Sequence, residues 1–276
     1  MKNLIVLLLL CFAAPAWAQN FPSGYVSPGT DQFPEVRTAA EQGDAEAQYK
    51  LGQMYDNGEG ISEDDKQAVA WYLKSAMQGY PNAQNDLAKM YLYGKGVAQN
   101  PAMAMVFFLK AAQQDYAKAQ YNLGLMYIGV DNTQTLFWWR KAAEQGLVQA
   151  QFGLGMAYRD GGRGVTQDNE QAVFWYRKAA DQGDAEAQNS LGRMYDAGWG
   201  VKEDDAQAFA WYLKAAEQGH APAQYNVGNM YDEGDGITQD KARAAAWYRK
   251  AAEQGYADAQ KNLAALCEEK KYSDCP

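Results

Sequence analysis

The sequence predicts an all-α fold: a solenoid of six helix-turn-helix repeats with a capping helix at each end. Three observations support it. One Gln, here called the anchor Gln, recurs every 36 residues, apart from one interval of 31 and one of 37, at Gln48, Gln84, Gln120, Gln151, Gln188, Gln224 and Gln260. Each unit carries two apolar stripes at helical spacing, and glycines follow each stripe. Two short helices cannot bury their stripes alone, so the units must stack.

Residues 184–219 show the unit most clearly. Leu191 and Met194 mark the stripe of a first helix, and Trp211 marks that of a second. Asp204 stands where a side chain can cap the start of the second helix. We therefore interpret the repeated aromatic and aliphatic positions as a continuous core rather than as a cofactor site.

A glycine lies inside the first helix of most repeats. Gly192 has counterparts at Gly52, Gly124, Gly155 and Gly228, while Ala88 and Ala264 are the exceptions. Glycine inside a helix costs about 1 kcal/mol relative to alanine. Because only Ala replaces it, we predict that the position requires a small residue so that the paired helix can approach closely.

The pattern A-x-A-Q-x-x-L-G-x-M-Y-x-x-G-x-G-V-x-x-D, followed by W-Y-x-K-A-A, resembles the Sel-one-like repeat, a relative of the tetratricopeptide repeat. The resemblance covers residues 33–269. It implies a right-handed superhelix that wraps a protein or peptide, used as an adaptor in the bacterial envelope or as a secreted, host-facing factor. It implies no common reaction. One branch of the family has a cysteine pair in every repeat, which this chain lacks.

The amino terminus predicts export. Lys2 precedes a short apolar run over residues 4–14, and residues 16–18, Ala-Trp-Ala, form a small-x-small cleavage signal. We expect cleavage after Ala18 and a periplasmic or secreted product; a lipoprotein anchored through Cys11 is the alternative. The apolar run is too short to span a membrane.

The predicted organisation then follows the repeats. Residues 19–32 form a flexible lead-in and 33–269 the solenoid, with a capping helix over 256–269 and a tail over 270–276. The six helix pairs are predicted to start near Asp44, Tyr80, Tyr116, Leu147, Asp184 and His220. Cys267 and Cys275 remain after export, and we expect a disulfide between them that tethers the tail. Metal binding or free thiols are the alternatives.

Two repeats depart from the pattern. The third is five residues short, which predicts a tighter turn, and Asp115 precedes it where other repeats have Gly. The fourth has one extra residue. We expect either a local change of superhelical path over residues 115–165 or simple drift in exposed loops. Trp139 and Trp199 are predicted to lie at the surface.

Composition and motifs argue against catalysis and against binding of nucleic acid or metal. The net charge of −9 disfavours nucleic acid as a partner. The one histidine, His220, lies in a turn that tolerates other residues, so no catalytic residue is assigned. The Asp64-Asp65 pair suits a helix start, and the acidic turn over residues 232–236 lacks calcium-loop spacing. We therefore expect no enzyme activity, cofactor or metal, and a monomer.

The candidate binding site consists of three groove rows: the residues one, two and five positions after each anchor Gln. By resemblance to tetratricopeptide solenoids, these rows line a concave groove. The first row is Tyr49, Asn85, Tyr121, Phe152, Asn189, Tyr225 and Lys261. The second row is Lys50, Asp86, Asn122, Gly153, Ser190, Asn226 and Asn262. The third row is Gln53, Lys89, Leu125, Met156, Arg193, Asn229 and Ala265.

Rings, amides and a few cations suit a peptide groove, because rings bury area at low entropy cost and Asn can bond an extended backbone. The centre, with Tyr121, Leu125, Phe152 and Met156, is the most apolar part, and we predict it as the hot spot. A solenoid interior that merely tolerates such residues is the alternative interpretation. An envelope-polysaccharide binder is a second class of function. A third, a slow hydrolase of cell-wall-like lactams, lacks a nucleophile and base here.

Overall fold

The computed structural model describes residues 32–161 and 165–269, which form fourteen α-helices and, in those ranges, no strand. The helices are α1 (Phe33–Glu41), α2 (Ala45–Asn57), α3 (Asp65–Met77), α4 (Pro81–Tyr93), α5 (Pro101–Ala112), α6 (Ala117–Tyr127), α7 (Asn132–Glu144), α8 (Val148–Asp160), α9 (Asn169–Asp181), α10 (Ala185–Asp196), α11 (Asp205–Glu217), α12 (Ala221–Glu233), α13 (Lys241–Glu253) and α14 (Ala257–Glu269). The predicted signal peptide, lead-in and tail, with Cys275, lie outside the described residues.

The helices pack in chain order, each against the next. The even-numbered helices α2 to α12 are the first helices of six repeats, and the odd-numbered helices α3 to α13 are the second helices. Helix α1 covers the first repeat, and α14 covers the last. The all-α, six-repeat architecture predicted from the sequence is confirmed.

Helix starts follow the predicted capping chemistry. Asp204 Oδ1 accepts a hydrogen bond of 2.9 Å from the backbone N–H of Gln207, and Asp64 caps α3 in the same way. At the other end, Gly58 ends α2 in the left-handed conformation, with φ of 69°. Asp115 adopts a φ of 58°, so it takes the backbone conformation of the glycine that it replaces.

The core is one aliphatic row and one aromatic row. The aliphatic row, at most 1% exposed, is Leu51, Leu87, Leu123, Leu154, Leu191 and Val227. The aromatic row, at most 2% exposed, is Tyr72, Phe108, Trp139, Tyr176, Tyr212 and Tyr248. Burial of each such side chain contributes about 1.5–3 kcal/mol.

The helix-interior glycines face this aromatic row. A Cβ built on Gly192 would lie 2.6 Å from Cδ1 of Tyr212, and one on Gly52 would lie 2.5 Å from Cδ1 of Tyr72. The requirement for smallness is therefore confirmed. In the second repeat, Ala88 takes the place of the glycine and Phe108 that of the tyrosine, and both lie in one buried cluster.

The anchor Gln joins three helices. Gln188 Nε2 donates to the carbonyl of Ala180 near the end of the preceding second helix, at 3.1 Å. Its Oε1 accepts from Gln218 Nε2, at the end of its own repeat's second helix, at 2.8 Å. Corresponding pairs of bonds are made by Gln48, Gln84, Gln120, Gln151 and Gln224. Sequence periodicity identified these residues but not their role.

The third repeat has the tighter turn that its length predicts. Helix α6 ends at Tyr127 and α7 begins at Asn132, with Asp131 as its N-cap. In the first repeat the corresponding turn spans residues 58–64.

Candidate functional site

Side-chain hydrogen bonds link groove-row residues on neighbouring first helices. Asn122 Nδ2 on α6 donates to Asn85 Oδ1 on α4 at 2.9 Å, and Asn226 Nδ2 on α12 donates to Asn189 Oδ1 on α10 at 3.0 Å. Tyr49 Oη likewise donates to Asp86 Oδ2 at 2.9 Å. These bonds join α2 to α4, α4 to α6 and α10 to α12, side chain to side chain along the rows.

The predicted residues differ in exposure. Half-buried members are Tyr49, Asn122, Tyr121, Phe152, Met156, Tyr225, Asn226 and Asn229. Exposed members are Lys50, Lys89, Leu125 and Arg193. Asn85 is only 3% exposed and bonds Asn122 and Asp86, so its amide supports the surface from beneath rather than facing a ligand.

Each ring of the first row rests on a buried ring of its own repeat. The centroid of Phe152 lies 5.7 Å from that of Tyr176, and that of Tyr121 lies 5.8 Å from that of Trp139. Tyr49 on Tyr72 and Tyr225 on Tyr248 repeat the arrangement at 5.7 and 5.8 Å. Tyr49 and Tyr225 also contact Tyr80 and Tyr256, which directly precede α4 and α14, with ring centroids 5.4 and 5.2 Å apart. These contacts hold the four rings in place, and each ring stays half-buried.

Trp139 is buried, with 2% exposure, so the prediction that it lies at the surface was wrong. It replaces the tyrosine of the aromatic row, and its Nε1 donates to the carbonyl of Tyr121 at 3.2 Å. Its ring fills space beside both Gly124 and Gly153, where an added Cβ would lie 2.4 and 3.0 Å from ring atoms. The larger ring therefore explains the glycine in the second row. Trp199, by contrast, is 43% exposed, as predicted.

Two of the four cations in the groove rows, Lys50 and Lys89, have a carboxylate partner. Lys50 Nζ lies 2.6 Å from Glu46 Oε1, and Lys89 Nζ lies 2.7 Å from Asp86 Oδ1. Burial and the neighbouring carboxylate of Asp86 raise the pKa of Tyr49 well above its usual range, so this hydroxyl stays protonated and donates. Arg193 makes no ion pair within the described ranges.

His220 has a structural role that the sequence did not indicate, although Tyr80, Tyr116 and Leu147 fill the same position in other repeats without a side-chain cap. Its Nδ1 accepts from the N–H of Ala223 at 3.2 Å and caps α12, while Nε2 lies 3.2 Å from Glu186 Oε1 on α10. Its partnership with Glu186 lowers the pKa of that carboxyl. The histidine ties the start of the sixth repeat to the fifth.

Two surfaces were missed in the sequence. The second helices expose a row formed by Val106, Phe137 and Phe174, at 45–48%. Lys141 and Lys178 lie over the two phenylalanine rings at 5.5 and 5.1 Å from their centroids. The other surface is a recess beside Trp199, described below. The repeated Phe-Trp pair at residues 137–138 and 174–175 could have indicated the first surface.

Within residues 32–161 and 165–269, no cluster of three or more His, Cys, Asp or Glu side chains could hold a metal ion. No helix in those ranges is both long and apolar enough to cross a bilayer. Cys267 lies on α14 and packs against the last core cluster. Its predicted pairing with Cys275 stays a prediction, because Cys275 lies outside the described residues.

The helix pairs, packed in chain order, define a helical repeat scaffold. A family model of the Sel1 repeat matches residues 45–80, 81–116, 117–147, 148–184, 185–220 and 221–256. The chain therefore belongs to the Sel1 repeat family.

Solved structures give the same architecture. One is a protective antigen present in uropathogenic Escherichia coli strains and displaying an SLR fold; the TM-score is 0.83 and the identity 38%, over 86% of this chain and 52% of that chain. This chain thus spans about half the length of the antigen. A Sel1 repeat protein from Oxalobacter formigenes matches with a TM-score of 0.70 and 38% identity, over 86% and 70% of the two chains. No curated protein matches the chain.

Proposed function

We propose that this protein is an exported, non-catalytic scaffold that binds a protein or peptide along the groove rows of its first helices. The observation that carries the proposal is the first row of four rings, Tyr49, Tyr121, Phe152 and Tyr225, each supported by a buried ring beneath it. A supported ring loses little conformational entropy on binding, which favours affinity.

The centre of the rows is the proposed hot spot. Leu125 is 40% exposed and lies on the same helix as Tyr121, while Phe152 and Met156 occupy the next first helix. The four side chains provide apolar contact area, and Asn122 supplies an amide beside them. This combination of a central apolar anchor with flanking polar groups is typical of protein-binding surfaces.

Export is part of the proposal. It is supported by the leader-like segment over residues 1–18 and by similarity to a protective antigen of uropathogenic Escherichia coli strains. We propose the periplasm or the extracellular space as the location. A host-facing role is the secreted form of the same binding function.

Affinity capture from envelope extract tests the proposal. The bait is the chain from Gln19, compared with Tyr121→Leu/Phe152→Leu, which removes two rings but keeps apolar packing beside Trp139 and Tyr176. The matched control is Phe137→Ala/Phe174→Ala, which removes two exposed rings from the second helices. Circular dichroism and thermal unfolding verify that every bait is folded.

We expect one protein to be retained by the unmodified chain and by the control, and lost by Tyr121→Leu/Phe152→Leu. If the protein is lost only with Phe137→Ala/Phe174→Ala, the binding site lies on the second helices and the groove assignment is wrong. Retention of glycan material only would replace the peptide ligand with an envelope polysaccharide.

A further inference from the structure

A recess of about 560 Å³ opens between the turns of the fourth and fifth repeats. Among the residues that the structure describes, its lining consists of Arg159, Asp160, Gln167, Asn169, Arg193 and Trp199. Arg159 comes from the last turn of α8, Asn169 begins α9, and Arg193 belongs to the third groove row on α10. The recess therefore adjoins the proposed binding surface.

At the equivalent place between the first and second repeats, the turn carries a lysine in the position of Trp199. Lys95 lies between the two glycines of its turn, and its Nζ is 2.8 Å from Asp56, 3.0 Å from Asp65 and 3.4 Å from Glu63. Three carboxylates of the preceding repeat thus neutralise the cation. No positive charge is left there to bind an anion.

At the recess every one of these positions has changed. Trp199 replaces the lysine, Arg159 and Asn169 replace the two aspartates, and Gln167 replaces the glutamate. The backbone register is the same, because a Cβ on Gly200 would lie 2.3 Å from the carbonyl carbon of Asn169, as one on Gly96 would lie 2.2 Å from the carbonyl oxygen of Asp65.

The charge balance is accordingly reversed. Arg159 is held by Asp160 through two hydrogen bonds of 2.7 and 3.2 Å. Arg193 is exposed and makes no ion pair in the described part of the chain, and the adjacent Asp196 accepts from Tyr212 instead. Burial raises the pKa of Asp196, and Arg193 is near enough to offset part of that rise. The Arg193 guanidinium nevertheless has no carboxylate in direct contact among the described residues, and it lines the recess together with an indole that is 43% exposed. In addition, Oδ1 of Asn169 is buried without a hydrogen-bond partner among the described residues.

We propose that this recess binds the carboxylate of an acidic residue in a partner peptide, with Arg193 as the counter-ion and Trp199 as the apolar wall. The inference rests on the proposed function, since Arg193 belongs to the groove rows. A guanidinium presents paired N–H donors that match a carboxylate, and an indole packs against the methylenes that carry it. The surrounding chain is acidic, so it disfavours an acidic residue elsewhere and fixes the register of the peptide.

The test follows the indole N–H of Trp199 by NMR in the chain from Gln19, with the resonance identified by its absence in Trp199→Phe. The probes are blocked Ala-Glu-Glu-Ala and Ala-Gln-Gln-Ala peptides and, separately, glucuronate. Arg193→Gln removes the proposed counter-ion. Lys118→Gln, which removes an exposed cation on α6 outside the rows, is the matched control.

We expect the Glu peptide, but not the Gln peptide, to shift the Trp199 resonance saturably, with affinity reduced by added salt. Arg193→Gln should weaken binding about tenfold, and Lys118→Gln should leave it unchanged. Equal binding of both peptides, no shift, or no effect of Arg193→Gln would overturn the proposal, as would binding of glucuronate alone. Because the resonance reports the recess only, its failure beside a successful groove capture would leave the proposed function standing.

Discussion

Gln218 donates a 2.8 Å hydrogen bond to Oε1 of Gln188, and Gln188 in turn donates to the carbonyl of Ala180. One buried amide therefore satisfies a carbonyl in the last turn of one helix and fixes the end of another. The regular spacing of the anchor Gln along the sequence thus corresponds to a hydrogen-bonded connection between neighbouring repeats.

Replacement of this amide should destabilise the array. Gln188→Ala leaves the Ala180 carbonyl and the Gln218 amide without their buried partner, and we expect a loss of about 1–3 kcal/mol in the free energy of unfolding. Urea unfolding followed by circular dichroism measures it. Gln260→Ala is the control, because Gln260 is exposed and should cost less than about 1 kcal/mol. Equal losses at the two positions would contradict the assigned role.

Adding a methyl group at Gly192 should also destabilise the protein. The new Cβ would lie 2.6 Å from the buried Tyr212 ring, whose Oη is bound to Asp196 at 3.1 Å. Overpacking typically costs about 1–3 kcal/mol, which exceeds the gain in helix propensity of about 1 kcal/mol. The same unfolding assay applies. The reverse change, Ala264→Gly on the unmatched α14, should lose only the propensity difference; a stabilised Gly192→Ala would refute the steric explanation.

An engineered cation should stabilise the junction of the fifth and sixth repeats. Asp235 occupies the place of Lys95, and burial, with the charges of Asp205 and Asp235, raises the pKa of Asp196 above its ordinary value of 3.8. Asp235→Lys would restore the arrangement around Lys95. We expect about 0.5–1 kcal/mol of added stability at pH 7, since such pairs are partly exposed.

The pH dependence provides an independent check. A carboxyl whose pKa is raised on folding binds its proton more tightly in the native state, so its stabilising contribution is fully present below its ordinary pKa and is lost as pH rises through its raised, folded-state pKa. The gain from Asp235→Lys should therefore be larger at pH 7 than at pH 3. Asp235→Asn, which removes the negative charge without adding a cation, should give a smaller gain. Equal gains in stability from Asp235→Lys and Asp235→Asn at pH 7 would contradict the ion-pair model.

Alkaline unfolding should follow the buried tyrosines. Burial raises the pKa of Tyr176 from 10.0 to about 12 and raises those of Tyr72 and Tyr212 further. The unfolded chain therefore loses these protons first, and stability should fall as pH rises above about 10. Tyrosinate absorbance and helicity, measured together, should change in one transition for these residues, and Tyr176→Phe should move it to higher pH. Tyrosine titration without loss of helicity would contradict the prediction.

The periodic part of the fold could be predicted because each core position repeats. Leu191 lies three residues after Gln188, and the aliphatic row keeps this offset and its burial in all six repeats. The site was less predictable, since Asn85 and Asn122 occupy neighbouring groove rows but differ in burial through a contact between helices. The recess was missed because it combines Arg159 with Trp199 across a repeat boundary. It could have been found by examining each turn together with the residues of the repeat before it, instead of aligning the turn only with the equivalent turns of other repeats.

The anchor bonds give the array a direction. The carbonyl near the carboxyl end of each second helix is bonded by the anchor Gln of the helix that follows it. The structural unit that these bonds complete is therefore a second helix with the helix after it, one helix out of step with the sequence repeat. During synthesis from the amino end, helices are completed in chain order, and α14 completes α13. Insertion or removal of a whole repeat preserves every such bond. The reach of the scaffold can therefore change in steps of one repeat while its internal chemistry stays constant.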